Sequence, residues 1–491
     1  MKKYYITTPL YYVNYKPHIG HAYTTLAADI LKRHLKAEGR DVFFQTGTDE
    51  HGINIERTAK EHSKTPKQWS DEIVVEFKDM WKTLHIDYDY FIRTTDEYHE
   101  KQVQLVFEKL IKSGDIYKGN YEGIYCSSCE NFYDESELVD GKCPIHKKEV
   151  ERVNEETYFF KLSAYQDRLL NHYKENPEFL SPSYRANEII RFVEMGLKDI
   201  SVSRTRVKWG ISVLSDPNHT VYVWFDALLN YITGAGYDVH NPDNEKFKSL
   251  WPCDVHLIGK EIFRFHAVIW PAMLMALGLP LPKKVYAHGW WTVNGEKMSK
   301  SRGNIINPVD VVMEYGLDTF RYFIFREVPF GQDGDFSTDM LKTKYNSDLA
   351  NGLGNLFSRT VNMVRKYMDN IMPDKPKDSE IFSKITLMQK DIYKNIEEMQ
   401  FSSALDLIWK AVSILNKEID DKKPWEMAKK DVEVLKKFLN EMVWCLRLIA
   451  RWIYPFMPDT SAKMNMYLAI GNTADKTVES QKLAPLFPKK N

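Results

Sequence analysis

The chain has 491 residues, more than one hydrophobic core can organise, so the sequence predicts two to four domains. It is 43% hydrophobic and 27% charged, which is ordinary for a soluble globular protein. Its net charge of −1 excludes nucleic-acid binding through overall basicity, so any such contact must come from local patches. The sequence contains neither a signal-peptide pattern nor an apolar run near the roughly twenty residues of a membrane span, and we expect no membrane association.

The first predicted elements are a strand over residues 4–8 and a helix that follows it. Pro17 suits the first helical turn, where its missing N–H costs nothing, and Gly39 ends the helix. Apolar residues recur between them at helical spacing, at Ile19, Ala22, Tyr23, Leu26, Ile30, Leu31 and Leu35.

Two histidines, His18 and His21, are therefore expected on one face of a helix N-terminus. The unsatisfied N–H groups and the positive end of the helix dipole favour phosphate there. Gly20 leaves room for a flat ring to approach the backbone. The pattern indicates a nucleotide-phosphate site, and the alternative is an ordinary strand–turn–helix of structural importance only.

A second strand over residues 41–46 ends at Thr48-Asp49-Glu50-His51-Gly52. Ligands bind at the carboxyl ends of strands in open α/β sheets, which places Asp49 well to meet an ammonium group. The alternative role for Asp49 is a helix cap. Helices predicted over 66–83 and 96–113 continue the alternation of strand and helix, which favours a parallel sheet.

Four candidate zinc ligands interrupt that alternation, in two pairs that each enclose two residues: Cys126 with Cys129, and Cys143 with His146. This spacing suits a tetrahedral zinc knuckle, and four protein ligands close the coordination sphere, so the zinc should be structural. The alternative is free buried thiols and a surface histidine. An odd total of five cysteines, three of them clustered, argues against a disulfide framework and for a reducing cytoplasm.

Beyond about residue 220 the strand–helix pattern resumes. We predict a strand over 221–226 that enters a helix, where Trp224 and Tyr231 form an apolar slot or, alternatively, pack in the core. Another strand, over 254–259, ends in a turn where Gly259 permits close approach and Glu261 can accept from ribose hydroxyls.

A lysine-rich loop comes next, with Lys297 and Lys300 on either side of Ser299. Mobile lysines in a glycine-containing loop can close over a polyphosphate, although such runs are usually solvated.

The sequence from about residue 345 onward predicts a helical bundle. Asn355 and Arg359 share one helix face, and Trp425 follows the helix break at Pro424. Asn and Arg side chains can read base edges and a Trp can stack on an unpaired base, although each is more often structural.

Two stretches carry a resemblance to a known family. Pro17-His18-Ile19-Gly20-His21 and Lys297-Met298-Ser299-Lys300-Ser301 are similar to the HIGH and KMSKS signatures of class I aminoacyl-tRNA synthetases. From about residue 3 to about 460 the chain resembles the methionyl branch, bacterial-type with one zinc knuckle, and the stretches that carry this are Thr8-Pro9-Leu10-Tyr11-Tyr12, Gly47-Thr48-Asp49-Glu50-His51-Gly52, Val223-Trp224-Phe225-Asp226-Ala227, Gly259-Lys260-Glu261-Ile262 and His266.

The resemblance implies an α/β fold with a Rossmann-like parallel-sheet nucleotide-binding domain, split by a zinc-knuckle connective insertion and followed by an all-α bundle. The expected catalytic domain consists of a first half at residues 1–115 and a second half at 221–292, separated by the connective domain at 116–220. The KMSKS loop with a stem-contact region follows at 293–345, and the anticodon-binding bundle at 346–491.

It also implies roles for particular residues. Catalysis would use His18, His21, Lys297 and Lys300, and ATP would bind these residues with Gly20, Gly259 and Glu261. The ammonium group would pair with Asp49. The methionine pocket would consist of Leu10, Tyr12, Trp224, Ala227, Tyr231, Ile262 and His266, and the anticodon would meet Asn355, Arg359 and Trp425.

The implied activity is an ATP-dependent ligation of methionine to tRNA(Met) through methionyl-AMP, with Mg²⁺ arriving on ATP. We expect a monomer, because no appended tRNA-binding domain fits after the bundle. Two alternatives stay open: another class I synthetase, such as the leucyl or cysteinyl type, or a relative that only binds RNA. The pocket and the element at Pro424 and Trp425 argue against the first, and the intact signatures against the second.

Overall fold

The computed structural model describes residues 2–126, 131–133, 135–144, 147–293, 295–297, 306–368, 374–468 and 484–490. Two compact units make up the chain. The first consists of Met1–Pro17 and Arg40–His288, and the second of His18–Gly39 and Gly289–Asn491.

Strands occur mostly in the first unit. In chain order they are β1 (Tyr4–Tyr12), β2 (Val42–Asp49), β3 (Tyr90–Arg93), β4 (Ile116–Cys126), β5 (Asn131–Tyr133), β6 (Glu151–Phe160), β7 (Leu180–Ser181), β8 (Ile200–Ser201), β9 (Ser203–Arg204), β10 (Ser212–Val213), β11 (Asp216–Val221), β12 (Val255–Gly259), β13 (Val285–His288), β14 (Trp291–Val293), β15 (Glu296–Lys297) and β16 (Gly334–Asp335).

Helices separate the strands and then replace them. They are α1 (Ile19–Ala37), α2 (Ile53–Glu61), α3 (Pro66–Thr83), α4 (Glu97–Ser113), α5 (Gln166–Glu175), α6 (Ser183–Glu194), α7 (Val223–Leu228), α8 (Asn230–Gly234), α9 (Glu245–Leu250), α10 (Trp270–Leu277), α11 (Pro308–Tyr315), α12 (Leu317–Arg326), α13 (Thr338–Lys344), α14 (Asn355–Tyr367), α15 (Glu380–Leu387), α16 (Gln389–Glu397), α17 (Phe401–Lys422), α18 (Pro424–Lys430), α19 (Val432–Ile453) and α20 (Pro458–Tyr467). Two segments, Phe265–Ile269 and Tyr345–Gly354, have π-helical hydrogen bonding.

The first unit is built on a parallel sheet of six strands in the order β3-β2-β1-β12-β13-β7. Its central strands β1 and β12 are almost entirely buried, as expected for a parallel sheet that is covered on both faces. Two smaller antiparallel sheets, β5-β4-β6-β8 and β10-β11-β9, come from the part of the chain between β3 and β12. The predicted parallel α/β sheet with an insertion is confirmed.

The second unit is predominantly helical. It contains α1 and all helices from α11 onward, together with the small sheet β15-β14-β16. Helix α12 is buried from Leu317 to Phe325, so it forms the centre of this unit. The predicted helical bundle in the C-terminal part is confirmed, including the start of α18 at Pro424.

Local signals gave accurate helix boundaries where they were strong. Helix α3 spans the predicted 66–83, because Thr65 and Gln68 cap each other's backbone N–H groups and Pro66 occupies the first turn. Helix α1 ends as predicted before Gly39, whose φ of +82° suits glycine.

Two predicted positions were wrong. Pro17 lies before the helix and not in its first turn, because His18 is the N-cap and α1 begins at Ile19. The strand predicted over 221–226 ends at Val221, and Trp224 lies in α7. A short apolar run fits a buried helix as well as a strand, and periodicity alone cannot separate the two.

No helix in the described part of the chain is long and apolar enough to cross a membrane.

Candidate active site

The order in which strands are added to the parallel sheet of the first unit reverses at β1. This strand pairs with β2 on one side and with β12 on the other. The carboxyl ends of these strands carry Tyr12, Asp49 and Gly259. Tyr12 and Asp49 are register partners, so their backbones are adjacent at that edge. Such a switch point is where open α/β sheets bind ligands.

The turn after Asp49 is fixed by a buried acidic side chain. Glu50 accepts two hydrogen bonds from Arg93, at 2.6 and 2.7 Å, and others from Thr48 and Thr95 at 2.6 and 2.7 Å. The indole N–H of Trp209 donates to the backbone oxygen of Glu50 at 2.5 Å. No role was predicted for Glu50 from the sequence. Its acidic side chain inside the Thr48–Gly52 motif was the only feature that could have indicated one.

Asp226 forms a second group of polar contacts that the sequence did not predict, and one of its partners, His51, directly follows Glu50. Asp226 is buried and its two carboxylate oxygens lie 2.7 Å from His51 Nδ1 and 2.7 Å from His99 Nε2. Burial alone would lower the pKa of His51, but Asp226 above all, together with Glu100 and Asp49, raises it to about 10. Burial opposes ionisation of Asp226, but His51 and then His99 outweigh it and lower the pKa of that carboxyl. His51 is therefore a buried cation.

Aromatic side chains form a compact group at the start of α7 and in the π-helical segment Phe265–Ile269. The rings of Trp224 and Phe265 are stacked, with centroids 3.8 Å apart and an interplanar angle of 12°. His266 Nε2 lies 2.7 Å from the hydroxyl of Tyr231, and its Nδ1 lies 3.0 Å from the backbone oxygen of Ile262. The structure thus brings together four predicted pocket residues, and Phe265 is a neighbour that the sequence did not reveal.

The protonation of His266 follows from these contacts. Because a backbone carbonyl can only accept, Nδ1 carries the proton and Nε2 accepts from Tyr231. Burial lowers the pKa of His266 to about 4, so the ring is neutral at pH 7. A neutral histidine, a tyrosine hydroxyl and aromatic faces suit an uncharged, polarisable ligand group.

The other predicted residues of this unit lie as follows. Leu10 is half-buried in β1 and Ala227 is buried in α7. Glu261 is exposed in the turn after β12 and folds back over Gly259, where an added Cβ would lie 2.5 Å from its Oε2. A side chain at 259 would therefore require the exposed carboxylate of Glu261 to move aside.

Both predicted histidines lie at the start of α1, in the second unit. His18 Nδ1 accepts from the backbone N–H of Gly20 at 3.0 Å, and His21 Nδ1 accepts from that of His18 at 3.0 Å. The ring centroids are 4.0 Å apart. Burial, and then the neighbouring His18, lower the pKa of His21 well below its usual value. We infer that the neutral rings carry their protons on Nε2, where they can donate to an anion.

The backbone of Gly20, between the two histidines, is already in close contact with one flat ring. A Cβ on Gly20 would lie 2.9 Å from His18 Cε1, so the flat ring that approaches this backbone is the capping ring of His18 itself.

Several predicted site residues are only partly described. Lys297 lies in β15, where its backbone pairs with that of Thr292, and Lys300 lies outside the described residues. Cys129 and His146 also lie outside them. Cys126 and Cys143 are buried thiols that share a small apolar cluster with Tyr133.

Among the described residues, one group of side chains has ligand atoms close enough for a metal: Glu156, Asp216 and His219. The ammonium group of Lys118 lies 2.7 Å from Glu156 and 2.8 Å from Asp216. Because lysine already supplies the positive charge between these carboxylates, we assign no metal to them.

The predicted RNA-binding residues lie in the second unit. Asn355 is exposed at the start of α14, and Arg359 follows one turn later. The guanidinium of Arg359 lies 5.9 Å from the ring centroid of Trp425 and donates to Asp420 at 2.9 Å. Trp425 is 46% exposed, which is unusual for tryptophan and suits a stacking platform.

Comparison with known proteins agrees with this geometry. The family model for class I tRNA synthetases (M) matches residues 4–155 and 137–361, and that for the anticodon-binding domain of tRNA ligases matches residues 378–491. The fold and the signature residues therefore define a class I aminoacyl-tRNA synthetase.

Individual relatives narrow the assignment. The chain is 54% identical to the methionine–tRNA ligase of Caldanaerobacter subterraneus subsp. tengcongensis, over 97% of this chain and 75% of that protein. It is 48% identical to the Thermotoga maritima methionine–tRNA ligase, over 94% and 74%. The structure of Mycobacterium tuberculosis methionyl-tRNA synthetase in complex with methionyl-adenylate superimposes with a TM-score of 0.93 at 38% identity, covering 99% of this chain and 100% of that chain. The chain belongs to the methionine–tRNA ligase family.

Proposed function

We propose that the chain activates L-methionine with ATP and then transfers it to the 3′-terminal adenosine of tRNA(Met), supplying initiation and elongation of translation. In the first step the methionine carboxylate attacks the α-phosphorus, forming methionyl-AMP and releasing pyrophosphate. In the second a ribose hydroxyl of tRNA attacks the activated carbonyl and AMP leaves. One observation in a chain of this family carries the proposal: the neutral ring of His266 accepts a hydrogen bond from Tyr231, close to the stacked rings of Trp224 and Phe265.

Methionine would lie with its thioether against Tyr231, Ile262, His266 and the Trp224 ring, with Leu10, Tyr12 and Ala227 completing the pocket. Its ammonium group would pair with Asp49 at the end of β2. A soft sulfur atom gains from aromatic contacts, whereas branched or shorter side chains would fill the pocket less well.

ATP would bind through backbone and side-chain donors. His18 and His21 would donate Nε2–H to phosphate oxygens, with the α1 dipole adding to the attraction. Gly20 and Gly259 would allow close approach, and Glu261 would accept from the ribose hydroxyls. Lys297 and Lys300 would hold the leaving pyrophosphate, so that catalysis consists of positioning and charge stabilisation.

Two metal ions belong to the proposal. Mg²⁺ would arrive on ATP and be held mainly by phosphate oxygens. One structural Zn²⁺ per chain would be bound by Cys126, Cys129, Cys143 and His146. The burial of the Cys126 and Cys143 thiols in one small cluster fits such a site.

The partners would be methionine, ATP and tRNA(Met), with the anticodon meeting Asn355, Arg359 and Trp425. Domain limits at 115, 220, 292 and 345 remain part of the proposal, as do a monomeric state and a cytoplasmic location. The buried thiols of Cys253 and Cys445, which form no disulfide within the described residues, support the location.

The test is ATP–pyrophosphate exchange without tRNA, measured with each of the twenty amino acids. Exchange that depends on methionine supports both the adenylation chemistry and the pocket. Exchange with another amino acid would retain the reaction and reject the pocket. No exchange with any amino acid, in folded and zinc-loaded protein, would favour a relative that only binds RNA.

A further inference from the structure

Helix α1, whose N-cap is His18, is held in the helical unit by a fully buried ion pair. Arg321 Nη2 on α12 lies 2.6 Å from Asp29 Oδ2 on α1, and both side chains are 0% exposed. Burying two charges costs desolvation free energy that their attraction often fails to repay, so such a pair is weak evidence for a purely stabilising role. Its contacts indicate another purpose.

The same guanidinium also holds the corner between α19 and α20. Arg321 Nε donates to the backbone oxygen of Phe456 at 3.0 Å, and Nη2 donates to that of Pro455 at 2.8 Å. One turn earlier on α12, Asp318 accepts from the backbone N–H of Thr460 at the start of α20. A single side chain therefore joins α1 to the place where α19 ends.

Further contacts continue along the C-terminal half of α1. Arg33 donates to Asp29 at 2.7 Å and lies 5.9 Å from the ring centroid of Tyr454. Glu38 pairs with Arg451 of α19 at 3.0 Å. Because these partners lie in or directly after α19, any displacement of that helix acts on α1 along its length.

Helix α19 in turn packs against α14 and α18, which carry Arg359 and Trp425. A continuous packed route thus runs from those two residues through α19 and the Pro455–Phe456 corner to Arg321 and Asp29. His18 precedes Asp29 by about 16 Å of stiff helix, at roughly 1.5 Å per residue.

We propose that Arg321 is a positioning residue that couples RNA binding on the bundle to the orientation of His18 and His21. The coupling rests on the proposed function, since it concerns the same reaction. RNA seated on Arg359 and Trp425 fixes α19, α19 fixes Arg321 through the carbonyls of Pro455 and Phe456, and Arg321 fixes α1 through Asp29.

The experiment compares two RNA substrates: intact tRNA(Met) and a hairpin that contains its acceptor stem without the anticodon arm. The variants are Arg321→Met, Asp29→Asn, and the double variant. Arg326→Gln is the matched control, because Arg326 lies on the same helix but binds Tyr322 and Asp406. For each, kcat/KM for charging is measured with both RNAs, together with methionine-dependent exchange without RNA and the thermal midpoint.

We expect the preference for intact tRNA over the hairpin to fall by about 3- to 30-fold in Arg321→Met and in the double variant. Removing one partner leaves the other buried charge less well compensated and lowers the thermal midpoint. The loss should be larger in Asp29→Asn, because Arg33 still pairs with Asp29 in Arg321→Met, and removing both partners relieves part of the cost. The double variant should therefore regain thermal stability without regaining the preference, and Arg326→Gln should keep the wild-type preference.

Equal losses with both RNAs, or recovery of preference together with stability in the double variant, would show a structural role only and overturn the coupling. Wild-type protein without methionine-dependent exchange would instead reject the proposed function, so the two failures are distinguishable.

Discussion

His51 Nδ1 and Asp226 Oδ2 lie 2.7 Å apart in the interior of the first unit. The pair joins the turn after β2 to helix α7, and so connects the strand end that carries Asp49 to the helix that carries Trp224. His99 Nε2 lies 2.7 Å from Oδ1, the other carboxylate oxygen of Asp226. The relative position of the two proposed methionine contacts therefore depends on a buried charge.

This pair predicts a specific pH dependence of stability. The pKa of His51 is raised from about 6.5 to about 10 in the folded chain, so the folded state holds a proton that the unfolded state loses above pH 6.5. The stabilisation is complete below about pH 6.5 and is lost progressively up to about pH 10, by at most about 1.4 kcal/mol per pH unit. Urea unfolding of wild type and His51→Gln should show a stability difference that shrinks across this range. A constant difference would contradict the charged state of His51.

Removal of the Tyr231 hydroxyl should weaken the binding of methionine and leave the binding of ATP unchanged. Tyr231→Phe removes the donor to His266 Nε2, leaving a buried acceptor unpaired at a cost of about 1–3 kcal/mol. We expect the KM for methionine to rise by about tenfold or more, with the KM for ATP nearly unchanged, in exchange assays. Tyr237→Phe is the control, because Tyr237 is also buried in this unit and its hydroxyl makes no hydrogen bond to any residue that the structure describes. Equal rises in both KM values would place Tyr231 outside the pocket.

Substitution of Trp425 should lower tRNA charging without affecting methionine adenylation. Loss of a stacking platform costs about 1–3 kcal/mol per base, so Trp425→Ala should lower kcat/KM for tRNA by roughly 5- to 150-fold. Methionine-dependent exchange without tRNA should not change, because the side chain is exposed in α18. Trp425→Phe keeps an aromatic face and should retain most of the charging activity. If Phe and Ala variants lose the same activity, stacking is not the role of Trp425.

Some parts of the site were predicted by local rules, whereas the pocket residues Trp224, Tyr231, Ile262 and His266 were predicted only by the family resemblance. His18 and His21 fall at a helix start because a capped N-terminus is read from a few neighbouring residues, and α3 was located by its Thr65–Gln68 capping box in the same way. Asp49 was placed correctly at a strand end, because hydrophobic runs in parallel sheets identify their own termini.

The parts that the sequence did not reveal depend on contacts between distant segments. β7 has only two residues and is recognisable as a strand through its pairing with β13, more than a hundred residues later. The stacking of Phe265 on Trp224 and the bond from Tyr231 to His266 arise from a π-helical segment that apolar periodicity does not predict. Buried charges such as Asp226 were invisible because a motif gives residue identities without burial.

The zinc prediction can be tested directly. Metal analysis of purified protein should give about one zinc per chain, and Cys126→Ser combined with Cys129→Ser should abolish it. Cys445→Ala is the control, because Cys445 is an equally buried thiol in α19 and should leave the zinc in place. Zinc retained in the double serine variant would mean that its ligands are elsewhere.

Lys300 should affect the chemical step far more than the binding of methionine. Its ammonium group is proposed to stabilise charge on the departing pyrophosphate, a contact that strengthens only in the transition state. Lys300→Ala should therefore slow adenylate formation in single-turnover experiments by on the order of 10²–10³. Methionine affinity, measured by isothermal titration, should change much less. The exposed Lys174 on α5 provides a charge-matched control, and Lys174→Ala should behave as wild type. Equal losses of rate and of methionine affinity would reject the pyrophosphate role, because a group that stabilises the transition state alone cannot weaken ground-state binding to the same extent.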